Sequence, residues 1–331
     1  MRKAAIVILN YNGINTLQKF LPSVVAHSTF EIIVADNNSA DDSIEFLKHE
    51  FPDIALIVLD QNYGFAGGYT QALKQIEGKY QYYILLNSDV EVTADWDANL
   101  IDWLETNPET AAVQPKILSA IHQDYFDHAG AAGGYLDSLG YPYCRGRIFT
   151  QIEKDQGQYN DVAAVDWTSG ACMAVQAKLF HEYGGFDPLF FAHMEEIDFC
   201  WRLRNDGWKL QYIYNIAVYH QGGATLSRSN PFKTLLNFRN SLLTLKKNQS
   251  PVEFRKTYLK RIGLDILAAL VFAFRGQLKD AVAVLRAHGQ FLSLKNQLVE
   301  NKGNTVPSSF PTIRSILWEY YLLGKRKFSE L

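Results

Sequence analysis

Tyr82-Tyr83-Ile84-Leu85-Leu86-Asn87-Ser88-Asp89 runs five apolar or aromatic residues directly into a polar turn. A continuous apolar run of this length reads as a strand buried on both faces. Asn87 and Asp89, two residues apart, then emerge together at its end. The same device recurs upstream. Ala5-Ile6-Val7-Ile8-Leu9 runs into Asn10-Tyr11-Asn12, and Glu31-Ile32-Ile33-Val34-Ala35 into Asp36-Asn37-Asn38-Ser39. Ala55 to Leu59 forms a further strand. Between these runs lie helical patterns over Thr16 to Ala26, Asp41 to Glu50 and Tyr69 to Ile76. Strand–helix alternation at this spacing predicts an α/β fold, a mostly parallel sheet flanked by helices. Ligands of such sheets bind beyond the carboxyl ends of the strands, where these polar residues lie.

The 331 residues suffice for one large domain with an appendage, or for two modest domains. A hydrophobic share of 47% with 20% charged residues is ordinary globular composition, so a sizeable core is expected. A net charge of -3 gives no reason to expect nucleic acid as a partner. The charge is unevenly spread: residues 246–331 hold 15 basic and 6 acidic side chains, whereas residues 1–245 hold 17 and 29. This shift, with Lys246-Lys247-Asn248-Gln249-Ser250-Pro251, places a boundary near residue 245. Cys144, Cys172 and Cys200 are odd in number and widely spaced, which fits neither a disulfide framework nor a zinc knuckle and favours a reducing compartment. The apolar run after Met1-Arg2-Lys3 stops at Asn10, too early for a signal peptide, and reads as the first strand. No stretch reaches the roughly 20 apolar residues of a membrane span; Ile262 to Phe274 comes nearest and is interrupted by Asp265.

From Ala111 to Gly170 the periodicity weakens. Val113 to Leu118 and Ala163 to Trp167 read as strands, and the stretch between them, with Gly130 to Gly134, as a loop region.

Several segments carry side chains suited to chemistry. Asn87 and Asp89 could supply oxygen ligands to Mg²⁺ or Mn²⁺, which commonly takes one or two carboxylates plus substrate phosphate; an Asx-type turn closing the strand would use the same residues. Asp36 could accept a hydrogen bond from the imide N–H of uracil or thymine, while Ser39 or Asp41 could simply cap the next helix. Asn62-Tyr63-Gly64-Phe65-Ala66-Gly67-Gly68, between strand and helix, lets backbone approach a ligand but matches neither GxGxxG nor GxxxxGK[ST]. On a helix from Glu195 to Arg204, Glu195 and Asp198 share a face, as do Asp198 and Arg202. That is an acidic helix start with an ion pair, or a set of carboxylates raised toward general-base range by the apolar Phe190-Phe191-Ala192 before it. His220 ends the strand-like run Leu210 to Tyr219, before Gly222-Gly223, where it could reach a metal or a diphosphate oxygen.

Val7 to Asn12, Ile33 to Ser39, Asn62 to Gly68, Leu85 to Asp89, Gly184-Gly185-Phe186-Asp187-Pro188, Glu195 to Arg202 and His220, in this order, resemble family 2 glycosyltransferases of the GT-A fold, especially their rhamnosyltransferase-like branch. Each piece is short; the set in register is specific, and it covers roughly residues 4–240. The resemblance implies a GT-A catalytic domain over 1–245, with a nucleotide-binding half to 110 and an acceptor half from 111, and a C-terminal helical extension over 246–331. It implies that Asn87-Ser88-Asp89 stands at the metal motif, with Asn in its first acidic place and Asp89 the better ligand. Asp36 would read the base, with Asn10, Asn12, Asn38, Asn62 and Gly67 lining the nucleotide pocket. Glu196 falls on the general-base position, where the family's usual Glu-Asp is Glu195-Glu196 here. His220 would meet metal or diphosphate, and Trp167-Thr168-Ser169-Gly170 would shape the donor–acceptor interface. The implied activity is inverting, metal-dependent transfer from a dTDP- or UDP-sugar to a hydroxyl of a glycan or lipid-linked glycan, as in cell-surface polysaccharide synthesis. The implied location is cytoplasmic, extending to the inner face of the membrane.

Two other classes stay open on the residues. A sugar-phosphate nucleotidylyltransferase would want a basic, glycine-rich first loop where Asn10-Tyr11-Asn12-Gly13 stands. A non-catalytic nucleotide-sugar-binding homologue would not need the acids at 36, 89 and 196. In the basic tail, Tyr258 to Phe274 and Leu278 to Leu294 show amphipathic spacing with interleaved Lys and Arg. Packing on the domain or on another subunit, and peripheral contact with a membrane surface, both fit that pattern.

Overall fold

The computed structural model describes residues 1–222, 230–299, 313 and 315–331; Gly223, read above as part of a turn, lies outside them. The first half follows the expected alternation: β1 (Arg2–Asn10), α1 (Ile14–His27), β2 (Glu31–Asp36), α2 (Ser43–Glu50), β3 (Ala55–Val58), α3 (Gly64–Lys74) and β4 (Tyr80–Asn87). The strands run parallel in the order β3-β2-β1-β4. Alternate residues of each strand enter opposite cores. Ala5, Val7, Ile33 and Leu85 pack under α3, while Ile6, Ile8, Val34 and Leu86 pack against α1 and α4 (Trp96–Thr106). With both faces covered, no polar alternation survives in the sequence, which is why these strands read as unbroken apolar runs.

Beyond β4 the sheet becomes mixed. β5 (Val90–Val92), β6 (Thr110–Ser119), β12 (Cys172–Gln176) and β13 (Lys209–His220) extend it, with β12 antiparallel between β4 and β6 and β13 parallel to β6. The parallel pairing expected for the whole holds through β3-β2-β1-β4 and returns at β6–β13, interrupted by antiparallel β12.

Two elements differ from the sequence reading. The segment 111–170 is more ordered than a loop region. β7 (Gly134–Leu136), β8 (Pro142–Cys144), β9 (Arg147–Ile148) and β10 (Gln151–Ile152) form a small antiparallel sheet, while of Ala163 to Trp167 only β11 (Ala163–Ala164) pairs as an edge strand on β13. Strands of two or three residues are too short to show a period; their order comes from packing of Tyr135, Tyr143 and Trp167 in the main core. The second difference is α3, which begins at Gly64 rather than Tyr69. Glycine disfavours helix, but Asn62 Oδ1 accepts the Gly64 N–H at 2.8 Å and Phe191 C=O accepts that of Ala66 at 3.0 Å, so tertiary partners fix the first turn.

The remaining chain is α5 (Ala177–Glu182), α6 (Glu195–Asn205) and the C-terminal helices α7 (Pro231–Asn248), α8 (Pro251–Phe274), α9 (Leu278–Leu294) and α10 (Ile316–Tyr321). Residue 245 falls inside α7. That helix packs on α6, and its last turn neutralises buried acid: Lys247 Nζ lies 2.7 Å from Asp187 and 3.1 Å from Asp198, which also holds Arg202 at 3.0 Å and Asn248 at 2.8 Å. Burial would raise the Asp198 carboxyl, but Arg202 and Lys247 hold it below the usual carboxylate range. Pro251 at the first helical position and the reciprocal Ser250–Glu253 capping box start α8 just after the turn. No helix among the described residues is long and apolar enough to cross a membrane.

Removing one partner of a buried ion cluster leaves uncompensated charge and costs about 3–5 kcal/mol. Lys247→Met is therefore expected to lower unfolding free energy by about 3 kcal/mol, read by urea denaturation. A loss below about 0.5 kcal/mol would show that Arg202 and Asn248 suffice for Asp198.

Candidate active site

β1 sets the geometry. Its Asn10 faces Asp36 of β2, and its Leu9 faces Asn87 of β4, so three polar strand ends form a row. Asp36, fully buried, accepts from Asn10 Nδ2 at 2.9 Å and from the Ser39 N–H and Oγ at 2.8 and 2.7 Å. A carboxylate offers about four lone-pair sites; hydrogen bonds among the described residues use three of those on Asp36. Ser39 belongs to this cluster rather than to a helix cap; Asp41, one residue before the N-cap Asp42, accepts the Ser43 N–H at 3.2 Å and the Ile14 N–H at 3.0 Å. Asn12 and Asn38 occupy left-handed backbone at φ 49° and 64°, and Asn12 Oδ1 accepts the Ala40 N–H at 2.7 Å. Asn10 Oδ1 is buried without a partner among the described residues, the kind of atom that a ligand donor satisfies. Asn62 reaches the same cluster through Asn37, whose Nδ2 donates to it at 3.0 Å. Gly67 lies in the first turns of α3, where a Cβ would come within 2.9 Å of Tyr63 Cβ.

His220 stands 131 positions from Asp89 and reaches it through one strand pairing: β5, starting right after Asp89, lies antiparallel to β13 with Val90 opposite His220. His220 Nε2 is then 3.2 Å from Asp89 Oδ1 and 3.3 Å from Asn87 Nδ2, while Nδ1 is 2.8 Å from Asp127 Oδ1. Asp89 Oδ2 accepts the Gly222 N–H at 3.1 Å. Ser88, half-buried between Asn87 and Asp89, makes no side-chain hydrogen bond among the described residues. Asp127 was not legible in the sequence, because it sits in the aperiodic stretch after β6 and only the backbone return beside Ile117 brings it to the imidazole. Burial alone would push the His220 pKa down, yet hydrogen bonds and charge from Asp127 and Asp89 raise it to about 10. Burial likewise opposes the Asp127 charge, and His220 holds its carboxyl low.

These residues fit a divalent cation. Donor atoms on one octahedral cation with bonds of about 2.1 Å lie about 3 Å apart, close to the 3.2 Å between Asp89 Oδ1 and His220 Nε2. An imidazole whose other nitrogen faces a carboxylate is the usual arrangement of a metal-binding histidine. Among the described residues no three acidic, histidine or cysteine side chains enclose a cation by themselves, so the rest of its shell would come from ligand and water.

The Glu195–Glu196 pair stands apart, with no hydrogen bond or ion pair to the Asp89 group among the described residues. It opens α6 behind a strained turn in which Phe191, His193 and Met194 all have positive φ, 64°, 71° and 71°. Asn240 of α7 holds that turn, its Nδ2 lying 2.8–2.9 Å from the carbonyls of Phe190, Ala192 and His193; Arg239 adds bonds to the Leu189 and Phe190 carbonyls. From the other side Gly64, at φ 71°, leaves room for the Phe191 carbonyl, which would be 2.5 Å from any Cβ there. One oxygen of each carboxylate, Glu195 Oε2 and Glu196 Oε2, is buried without a partner, as is His193 Nε2. Burial and the neighbouring Glu196 raise the Glu195 carboxyl well above its usual range, and burial raises Glu196 to about 7. Asp198, by contrast, is consumed by the Arg202–Lys247 cluster. Trp167 to Gly170 bridge the halves: the Thr168 N–H meets Cys200 Sγ of α6 at 3.4 Å and the Ser169 N–H reaches Gln114 of β6 at 2.9 Å.

A sheet in this order, with buried acids and a histidine at its strand ends, defines a glycosyltransferase of the GT-A fold. Residues 5–164 match the model of glycosyl transferase family 2. A low-salt glycan biosynthesis hexosyltransferase of Haloferax volcanii is 22% identical, over 72% of this chain and 74% of its own. An N-acetylglucosaminyl-diphospho-decaprenol L-rhamnosyltransferase of Mycobacterium tuberculosis is 22% identical, over 67% and 77%. The solved structure of GalNAc-T7 with UDP, GalNAc and Mn²⁺ superposes with a TM-score of 0.57 at 18% identity, over 75% of this chain and 48% of that one. The family match takes in just under half of the chain; the chain has the GT-A fold and is a glycosyltransferase.

Raised carboxyl pKa values carry a stability consequence. The folded state keeps the Glu196 proton up to about pH 7, against 4.5 for an unburied glutamate, so folding is unpenalised below pH 4.5 and loses stability as pH rises toward 7. Glu196→Gln is expected to leave stability unchanged at about pH 4 and to raise it by about 2 kcal/mol at about pH 8, read by thermal unfolding at both. A destabilisation at pH 8 would mean that the carboxylate is satisfied there.

Proposed function

We propose that the protein is an inverting glycosyltransferase that moves a sugar from a dTDP- or UDP-sugar to a hydroxyl of a glycan or lipid-linked glycan, with rhamnosyl transfer the branch its relatives favour. The observation that carries this reading is the pairing of two unlike acidic sites: Asp89 and Asp127, charge-balanced on His220, and Glu195–Glu196, buried and left unbalanced. In the proposed step the acceptor hydroxyl oxygen attacks the anomeric carbon and its proton passes to Glu196. The bond from that carbon to the diphosphate breaks on the opposite face, and its electron pair leaves on the diphosphate oxygen. Glu196, raised to about 7, is matched to accept a proton near neutral pH. Glu195, raised well above its usual range by burial and by Glu196 beside it, disfavours a second negative charge in the pair.

Asp89 and His220 would hold Mg²⁺ or Mn²⁺, and the bound cation would stabilise negative charge on the departing diphosphate. Asp127 fixes the ring so that Nε2 points at Asp89. Asp36, Asn10 and Asn62 are assigned to the nucleotide, with Asp36 and the unpartnered Asn10 Oδ1 available to a base and ribose. Mn²⁺ with UDP in GalNAc-T7 supports the general kind of donor and metal. Three unpaired buried cysteines fit a reducing, cytoplasmic location.

Calorimetry with a nucleoside diphosphate panel, with and without Mn²⁺, tests the donor site. UDP or dTDP binding strengthened by Mn²⁺, and lost in Asp89→Ala, is expected; no binding of either nucleotide sinks the reading. With an active donor, kcat/KM should rise with pH to a plateau above about 7, because the carboxylate form of Glu196 is the base. Glu196→Gln should lower kcat by about 10²–10⁴-fold and abolish that acid limb. Full rate in this variant, with loss in Asp89→Ala, would move the base elsewhere and keep the metal site.

A further inference from the structure

α8 and α9 each bury one face and turn an apolar stripe outward. In α8, Thr257, Arg261, Asp265 and Ala269 recur every four residues and are buried; Arg261 reaches the Leu139 carbonyl and Ser241, and Asp265 pairs with His288 of α9. The opposite side exposes Val252, Leu259, Ile266, Leu270 and Phe274, the last 89% exposed. α9 repeats the arrangement: Ala283, Ala287 and Phe291 point in, and Leu278, Val282, Leu285 and Leu292 are exposed. So many large apolar side chains on adjoining helices exceed the scattered exposure normal for a free surface.

The charges beside the stripes identify what covers them. Arg255, Lys256, Lys260, Arg275, Lys279 and Arg286 lie on these two helices and the turn between them, and none has an ion-pair partner among the described residues. The acids of the same helices are engaged: Glu253 in the capping box, Asp265 with His288, Asp280 with Thr234 at 2.6 Å. A second copy packed stripe to stripe would set one basic rim against another. A bilayer rich in anionic lipid offers negative headgroups to the rim and an acyl boundary to the stripe. We propose that the α8–α9 face docks in the plane of an anionic membrane surface. Leu259, Ile266, Leu270 and Phe274 enter the headgroup–acyl boundary, and the lysines and arginines lie among the phosphates. Nothing in this depends on which nucleotide or sugar the active site takes.

Flotation of the full chain with vesicles tests it. Binding is expected to phosphatidylcholine vesicles containing about 30 mol % phosphatidylglycerol, and at least about 10-fold weaker to phosphatidylcholine alone or in about 0.5 M salt. Leu259→Asp with Leu270→Asp should cut binding about 10-fold or more at unchanged circular dichroism and unchanged uridine or thymidine diphosphate affinity. Lys256→Glu with Lys260→Glu, at exposed positions that no fold contact uses, should weaken anionic binding by about 30-fold or more. The proposal is overturned by no binding to anionic vesicles, by both double variants binding as tightly as the unsubstituted chain, or by a sedimenting dimer that Leu270→Asp splits without any vesicle binding.

Discussion

One imidazole lies between two buried carboxylates: His220 between Asp89 and Asp127. Neither acid could stay ionised in that setting without a positive or donating neighbour, because desolvating an unpaired carboxylate costs several kcal/mol. The sheet solves the problem with one short pairing, β5 on β13, which carries His220 to the end of β4. The other strand-end acid is treated differently. Asp36 is surrounded by dipoles, Asn10 and Ser39, with no cation in ion-pair contact among the described residues. The row of strand ends thus grades from a site of hydrogen-bonding dipoles at Asp36 to an imidazole-bridged site at Asp89.

The second acidic site obeys the opposite logic. Among the described residues Glu195 and Glu196 receive no cation, and their shared burial raises both carboxyls. Cations are at hand, Arg202 one to two turns along the same helix and Lys247 on α7, yet both are spent on Asp198. That division keeps one acid of α6 permanently ionised and structural and leaves two near the helix start with movable protons. The strained turn before them survives because Asn240 and Arg239 gather its carbonyls.

The legible and illegible parts of this arrangement separate by physics. The unbroken apolar runs of β1, β2 and β4, each ending in Asn or Asp, announced a doubly covered parallel sheet and its ligand end. His220 was legible because a strand pattern stopped there. Asp127 was not, since its partner is fixed by backbone return in a stretch without period. Asn240 and Arg239 look in the sequence like ordinary polar positions on an amphipathic helix, and only the carbonyls at positive φ opposite them explain their burial. The start of α3 was missed because glycine propensity argues against helix there, while its reason, close passage of the Phe191 carbonyl, lies over 120 positions away. Which acids would be balanced and which left alone was also hidden, because the deciding cation, Lys247, comes from beyond the charge boundary.

The Phe191 carbonyl bonds to the N–H of Ala66 at the head of α3, while its turn is gripped from behind by α7. The loop is thus a keystone between α3 and a helix that lies past the segment matched by the family model, residues 5–164. With Glu196 as the proposed base, acceptor preference is not a property of a detachable cassette. A chimera that exchanged residues 111–220 and kept a foreign α7 would inherit the two glutamates without the clasp that shapes their turn, so any graft meant to redirect this enzyme has to move Arg239 and Asn240 together with Glu196.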